Sequence, residues 1–255
     1  MSGPHGDFEI LGETADLIAV NKPAGLLVHP SKPGGPRTLW DGLRDLLGFE
    51  IANGGQVSLI NRLDRETSGV VLVAKSSAAA RRAAIAMQEG KISKSYLAIT
   101  CGWPEENAFT CDAPIVRLGE VAESPIHLKR AVHPSGAAAR TTFEVVARYI
   151  HPLGKFALVR AIPLTGRTHQ IRVHLSHLGF PVLGDKIYGP SDGCYLEFVE
   201  TGWTPALDAR LHFSRHALHS ASLALAWEDG RLEWTAGLPD DMAGFLAQGL
   251  LETPI

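Results

Sequence analysis

The chain has 255 residues, 45% of them apolar and 20% charged, which is ordinary for a globular protein and long enough to bury a full core. No apolar run approaches the ~20 residues that a membrane-spanning helix needs, and Met1 to Asp7 lack the basic-then-apolar pattern of an export signal. Three cysteines without a CxxC pair argue against a disulfide framework and fit a reducing compartment. We therefore expect a cytoplasmic protein.

The charge is distributed unevenly along the chain. A net charge of −3, taken alone, argues against nucleic-acid binding, because phosphate contacts need Lys and Arg. Residues 55–100, however, carry seven basic and three acidic side chains, whereas residues 226–255 carry one basic and six acidic ones. The acidic excess therefore lies in the tail, and the stretch 55–100 remains a candidate basic surface.

Hydrophobic periodicity and turn residues predict the elements in chain order. Strands are predicted over 8–10, 17–20, 70–74, 95–100, 141–147, 156–162 and 218–227. Helices are predicted over 39–47, 77–89 and 168–178. The caps and stops that support these helices are Thr38, Ser76 or Ser77, Gly48, Gly90 and Gly179. The segment 102–139 is rich in Pro and Gly and predicts loops and short strands. This pattern predicts a mixed α/β protein in which helices pack on a largely antiparallel sheet.

One carboxylate stands out, in the run Ile60-Asn61-Arg62-Leu63-Asp64-Arg65-Glu66-Thr67-Ser68-Gly69. Asp64 precedes a buried strand, so it lies on a loop that a rigid scaffold can hold in place. Arg62 and Arg65 would keep it ionised. A fixed, ionised, lone carboxylate is a candidate nucleophile. The alternative is an ordinary Asp in a salt-bridged turn, since structural ion pairs also perturb carboxylates.

This run resembles the Arg-Leu-Asp-x-x-Thr-Ser-Gly signature of the RluA-type RNA pseudouridine synthases. Three further stretches resemble other blocks of that family, in the family's order: Ala19-Val20-Asn21-Lys22-Pro23-Ala24-Gly25-Leu26-Leu27-Val28-His29-Pro30, Lys94-Ser95-Tyr96-Leu97-Ala98 and Gly166-Arg167-Thr168-His169-Gln170-Ile171-Arg172-Val173-His174. Arg215-His216-Ala217-Leu218-His219 resembles the family's last block, and the resemblance covers residues from about 17 to 225. The chain departs from the family at Asn61, where the family usually has His.

The resemblance implies the pseudouridine synthase fold, a long bent sheet with packed helices and a central cleft. It implies a single catalytic domain over 1–255 and, because the first block begins by residue 17, no S4-like RNA-binding domain before it. The implied reaction breaks the bond between N1 of uracil and C1′ of ribose and rejoins the ring through C5. Nothing is oxidised and no group is donated, so no cofactor and no metal ion are expected.

Site roles follow from the same resemblance, residue by residue. Asp64 takes the catalytic position, and four residues take substrate-binding positions: Tyr96, Arg167, Arg62 and Leu218. Tyr96 would stack on the target uracil, and Arg167 would pair with Asp64 or a phosphate through its planar fork. Arg62 would contact RNA once the target base is flipped out. Leu218 would lie against the base.

Each assignment has an alternative that rests on the residues alone. A strand tyrosine can belong to the core, Arg167 can form a surface ion pair, and Arg62 can pair only with Asp64 or Glu66. The expected partner is a structured RNA, either a ribosomal or a transfer RNA stem-loop, bound by a monomer that contacts neither DNA nor a membrane. Two other function classes remain open: a non-catalytic RNA-binding protein on the same fold, and a metal-dependent hydrolase. The hydrolase would use the clustered histidines His169, His174 and His177, whereas the looser group His212, His216 and His219 is interpreted as structural or RNA-facing.

Overall fold

A computed structural model describes residues 7–30, 34–228 and 230–254 of the chain. Residues 1–6, which carry most of the prediction about an export signal, lie outside this range. No helix in the described part is long and apolar enough to cross a membrane.

The elements found in the described residues are numbered in chain order. The strands are β1 (Glu9–Glu13), β2 (Leu17–Lys22), β3 (Ser58–Leu59), β4 (Ser68–Ala74), β5 (Ile92–Cys101), β6 (Ala108–Asp112), β7 (Ile115–Arg117), β8 (Arg130–Val132), β9 (Arg140–His151), β10 (Gly154–Pro163), β11 (Leu218–Trp227), β12 (Gly230–Thr235) and β13 (Leu250–Pro254). The α-helices are α1 (Leu39–Leu46), α2 (Gly48–Ala52), α3 (Ser77–Gln88), α4 (Gln170–His177), α5 (Gly193–Thr201), α6 (Pro205–Leu211) and α7 (Asp240–Leu246).

The chain forms two compact units, of which the first comprises Met1–Lys94 and His219–Gly237. In it β2 pairs antiparallel with both β1 and β4, and β12 pairs antiparallel with β11. Strand β4 also pairs with β11, in parallel, with Ser68 opposite His219. Every residue of β4 is buried, as its run of apolar and β-branched residues predicts. Apolar side chains of β2, β4, α3, β11 and β12 make one core, which fixes the strand that follows Asp64.

The second unit comprises Ser95–Leu218 and Leu238–Ile255. Strand β10 pairs antiparallel with both β5 and β9, and β9 also pairs with β6 and β13. Strands β7 and β8 form a separate antiparallel pair. Helix α4 contributes Val173 to a small core with Ile115, Ile126 and Ile187. Helices α5 and α6 pack through Cys194, Leu207 and Leu211.

The mixed α/β class and the largely antiparallel pairing are confirmed. Thr38 caps α1 with a reciprocal capping box, and Ser76 caps α3 through a bond from the Ala79 amide. Strand β11 has the predicted bounds, and 102–139 contains only short elements. The prediction of a helix over 168–178 is wrong at its start. Helix α4 begins at Gln170, because His169 adopts the left-handed conformation, with φ of 59°.

Candidate active site

Asp64 lies on the short loop between β3 and β4, and its backbone carbonyl accepts a hydrogen bond from the Thr67 amide at 3.1 Å. Leu63, next to it, is buried in the core, whereas Asp64 itself is half-buried. The two flanking arginines, Arg62 and Arg65, are exposed. The buried Leu63 therefore anchors a loop on which Asp64 remains partly exposed.

Lys22, at the end of β2, ties the first sequence block to this loop. Its ammonium group donates to the carbonyls of Pro23, Leu26 and Arg65, at 2.8, 2.9 and 3.1 Å. The Arg65 carbonyl also accepts from the Gly25 amide at 2.8 Å. The block around Lys22 and the block around Asp64 are thus joined by hydrogen bonds directly beside Asp64.

Asn61 holds the other end of the loop. Its buried side-chain amide donates to the Val70 carbonyl at 3.1 Å and accepts from the Leu72 amide at 2.8 Å. This arrangement lets one side chain substitute for a peptide group beside β4. At this departure from the family's usual His, the amide nitrogen and the amide oxygen of Asn61 are therefore both hydrogen-bonded.

The Thr67-Ser68-Gly69 turn joins β4 to β11 through close packing. Ser68 Oγ lies 2.9 Å from His219 Nδ1, and His219 Nε2 lies 3.2 Å from the Ala236 carbonyl. Because a carbonyl only accepts, Nε2 carries a hydrogen, so in the neutral ring Nδ1 accepts from the Ser68 hydroxyl. Gly69 has φ of 111°, and a Cβ there would come within 2.2 Å of the Ser220 carbonyl oxygen. Only glycine fits both this conformation and this contact.

Arg167 lies in the turn between β10 and α4, in the second unit, and its side chain is exposed. Its Nε donates to the Ala138 carbonyl at 3.1 Å. The buried Gln170 shapes the turn, because its Oε1 accepts from the Arg167 amide at 3.0 Å and from Thr165 Oγ1 at 2.7 Å. His169, in its left-handed conformation, contacts the Tyr188 hydroxyl at 2.7 Å. The block from Gly166 to His174 thus begins with a turn that side-chain hydrogen bonds hold in place, and Arg167 is exposed on this turn.

A buried ion pair holds α4 to the segment that follows it. Arg172 Nε and Nη2 bind the Asp185 carboxylate at 2.6 and 2.8 Å, and Asp185 is fully buried. The amides of Ile187 and Tyr188 bind the same carboxylate. Burial alone would raise the pKa of Asp185, but the Arg172 guanidinium and these hydrogen bonds hold it well below its usual range.

His174, on the buried side of α4, belongs to a hydrogen-bonded chain that reaches the Arg167 turn. Its Nε2 lies 3.0 Å from the Ala113 carbonyl and its Nδ1 lies 2.9 Å from Thr141 Oγ1, which also accepts from Gln170 Nε2. Nε2 must donate to the carbonyl, so in the neutral ring Nδ1 accepts from the Thr141 hydroxyl. Burial lowers the pKa of His174 below its ordinary value.

We expect the free energy of unfolding to fall as the pH drops below about 6.5, the unfolded-state pKa of His. Because the pKa of His174 is lowered in the folded state, the unfolded chain binds the proton more readily. The contribution of His174 to the free energy of unfolding is therefore present above about pH 6.5 and is lost below it. His174→Gln should flatten the change in urea midpoint between pH ~7.5 and ~5.5. The exposed His127→Gln is the control and should leave the change in urea midpoint as in wild type. An unaltered slope in His174→Gln would contradict this assignment.

Two of the five predicted site residues, Asp64 and Arg62, share the loop of the first unit; Tyr96, Arg167 and Leu218 belong to the second. Tyr96 on β5 and Leu218 on β11 are both buried, with 8% and 4% of their surface exposed. Their roles toward a substrate stay predictions. Sequence reasoning missed Lys22, Gln170 and Asp185, although Lys22 and Gln170 lie inside the quoted blocks.

Comparison with known proteins supports the class that these blocks predict. The model of the RNA pseudouridylate synthase family matches residues 16–177. A protein named uncharacterized RNA pseudouridine synthase, from Chloroflexus aurantiacus, is 39% identical over 89% of this chain and 65% of its own length. A ribosomal large subunit pseudouridine synthase D from Nitrosomonas europaea is 36% identical over 94% of this chain and 64% of its own length. The chain thus spans about two thirds of the length of these curated relatives.

Solved structures show the same fold. Human RNA pseudouridylate synthase domain containing 1 superposes with a TM-score of 0.73 at 26% identity, covering 100% of this chain and 93% of its own. Human RNA pseudouridylate synthase domain containing 4 gives 0.73 at 28% identity, covering 97% and 95%. The fold is the pseudouridine synthase fold, as predicted. The chain belongs to the RNA pseudouridylate synthase family.

Proposed function

We propose that this chain converts a specific uridine of a structured RNA into pseudouridine, with Asp64 as the catalytic carboxylate. The observation that carries the proposal is the family match over 16–177, which contains all four sequence blocks. The half-buried position of Asp64 on a loop fastened at both ends supports its role. In this reaction the bond between N1 of uracil and C1′ of ribose breaks, and uracil rejoins C1′ through C5. The isomerisation needs such a fixed carboxylate and no added reactant.

Ribosomal RNA of the large subunit is the substrate class that we propose first, with transfer RNA as the alternative. Relatives from Nitrosomonas europaea and Yersinia pestis, 36% and 34% identical to this chain, are named ribosomal large subunit pseudouridine synthase D. Pseudouridine mapping of total RNA from cells with and without the gene tests this choice. A site in 23S-type RNA should vanish in the deletion and return with the wild-type gene but not with Asp64→Asn. Loss of a tRNA site alone would select the alternative, and an unchanged map would contradict the function.

We propose Tyr96, Leu218, Arg167 and Arg62 as the substrate contacts, on the strength of their positions in the sequence blocks. Arg167→Lys is expected to lower turnover by at least about tenfold at an unchanged melting temperature, because lysine keeps the charge and loses the planar fork. The exposed Arg210→Lys on α6 is the matched control and should keep wild-type turnover. Near-normal turnover in Arg167→Lys would remove Arg167 from the site.

The electrostatic contact with RNA is expected to be modest. Of the seven basic residues in 55–100, four are engaged within the protein: Lys75 with Glu13, Lys91 with Glu89, Arg82 with the Trp227 ring and Glu228, and Lys94 with Met87 Sδ. Burial also lowers the pKa of Lys94. Three exposed arginines remain, Arg62, Arg65 and Arg81, and none of them has an ion pair among the described residues, although Arg65 Nε donates to the Gly25 carbonyl at 3.3 Å.

We therefore expect two to four phosphate contacts and a log–log salt slope of roughly −1.5 to −4 for a substrate stem-loop. Arg81→Gln should make the slope shallower by about 1, as expected for the loss of one phosphate contact. Arg82→Gln should leave the slope unchanged, because the Arg82 guanidinium stacks on the Trp227 ring. Binding measured from ~50 to ~300 mM salt checks both. A slope near zero would show that backbone electrostatics contribute little.

A further inference from the structure

Strands β7 and β8 place two arginines directly opposite each other. Arg117 pairs with Arg130 in the antiparallel register, so both side chains leave the same face of this hairpin. The next pair on that face, Ile115 and Val132, is apolar and packs in the small core to which α4 contributes. Like charges in a cross-strand pair destabilise a hairpin. Packing alone therefore does not account for two positive charges here.

Neither arginine is neutralised by the part of the chain that the structure describes. Arg117 is exposed, and its Nε donates to the His127 carbonyl at 3.0 Å. Neither arginine forms an ion pair with a described residue, although Glu120 and Glu123 are exposed in the loop between the two strands. The hairpin thus presents two guanidinium groups without a carboxylate partner from the described residues.

Arg130 also carries a polar atom without a partner. Its Nε is buried, and it makes no hydrogen bond to any described residue. A buried donor that lacks an acceptor destabilises the folded protein, so a ligand explains this position better than packing does. The Arg130 amide donates to the Tyr188 hydroxyl at 2.9 Å, which also contacts His169 Nδ1 at 2.7 Å. Tyr188 therefore joins the strand of Arg130 to the turn that carries Arg167.

An anion between the two guanidinium groups would offset both effects. Its negative charge would balance the repulsion, and rotation of the Arg130 guanidinium toward it would give Nε an acceptor. A phosphate suits the site, because the planar fork of an arginine binds phosphate oxygens through paired N–H groups. We propose that Arg117 and Arg130 together bind one backbone phosphate of the RNA, outside the contacts proposed above. That the ligand is RNA rests on the proposed function, and this contact counts among the roughly two to four phosphate contacts expected there.

The first test measures binding of a substrate stem-loop by Arg130→Met. Methionine keeps an unbranched apolar stem and removes the charge together with its donors. The Kd is expected to rise about tenfold, and the log–log salt slope to become shallower by about 1, as for the loss of one phosphate contact. The single-turnover rate at saturating RNA should stay within about twofold of wild type, because this site binds RNA and takes no part in the chemical step.

Arg160→Met is the matched control. Arg160 is also a strand arginine of the second unit, but it lies opposite Glu144 and pairs with it at 3.7 Å. Its neighbour across β5 is Leu97, so it lies on the other face of the sheet from Tyr96. The Kd and the salt slope of Arg160→Met should match wild type. An equal loss of affinity in both variants, or a Kd for Arg130→Met within about twofold of wild type, would overturn the proposal.

Thermal unfolding tests whether the protein keeps this charge at the expense of stability. Without RNA, Arg130→Met should raise the melting temperature, because it removes both the like-charge pair and the buried donor that lacks an acceptor. Saturating RNA should raise the melting temperature of wild type more than that of Arg130→Met. A lower melting temperature in Arg130→Met with an unchanged Kd would show a structural role and overturn the proposal. Arg117→Gln, at an exposed position, carries the binding test if Arg130→Met does not fold.

Inorganic phosphate separates a free anion from RNA as the ligand. Phosphate that stabilises wild type and not Arg130→Met, while both bind RNA equally, would overturn the assignment to RNA. Binding and melting remain informative even if wild type makes no pseudouridine. That result would contradict the proposed function alone, whereas equal RNA affinities of wild type and Arg130→Met would contradict this inference alone.

Discussion

Replacing Asp64 by asparagine is expected to abolish pseudouridine formation while leaving the fold and the affinity for RNA nearly unchanged. An amide has almost the shape of a carboxylate, but it can act neither as a nucleophile nor as a base. Release of tritium from RNA labelled at uridine C5 measures the reaction directly, because C5 loses its hydrogen when it bonds to C1′.

Glu66→Gln, which removes a negative charge two residues away in the same loop, is the matched control. It should keep most of the activity, so that a loss seen only in Asp64→Asn reports the carboxylate and not the local charge. Tritium release by Asp64→Asn at a tenth of the wild-type rate or more would show that Asp64 is not the catalytic group. RNA binding without turnover in wild type would favour the non-catalytic RNA-binding class.

Asp185→Asn is expected to destabilise the protein by about 3–5 kcal/mol, because it removes the carboxylate that pairs with the buried Arg172 guanidinium. Urea unfolding at neutral pH measures the loss. Since the pKa of Asp185 lies below its ordinary value in the folded protein, its contribution is present above about pH 4 and is lost as the pH falls below that.

Two further variants make this result specific. Asp185→Asn combined with Arg172→Met removes both charges and should cost less than the sum of the single changes. Asp45→Asn removes a carboxylate from an exposed ion pair with Arg37 and should cost about 0–1 kcal/mol. A cost for Asp185→Asn as small as that for Asp45→Asn would contradict the role of the buried pair.

The regular elements with a strong period could be predicted from the sequence. The alternation of Leu223, Leu225 and Trp227 predicts β11, and all three side chains lie in the core of the first unit. The short helices α5 and α7 lack a comparable pattern. Helix α6 carries a usable signal, Thr204 as N-cap followed by Pro205, but a helix of seven residues shows too little periodicity to stand out.

Contacts between distant parts of the chain could not be predicted. The bond from Lys22 to the Arg65 carbonyl joins two blocks that the sequence presents separately. The charge excess of residues 55–100 also overstates the exposed basic surface, because Lys75 and Arg82 pair with Glu13 and Glu228, which lie outside that stretch. A count of charges along the chain does not show which side chains meet.

The central claim is that this chain isomerises uridine in RNA without help from another reactant. The most direct test incubates the purified protein with unmodified ribosomal and transfer RNA, with EDTA present and no cofactor added, and maps pseudouridine by carbodiimide-dependent stops. We predict one or a few discrete pseudouridines in intact RNA, and none with Asp64→Asn. RNA without pseudouridine, or activity that EDTA removes, would contradict the account.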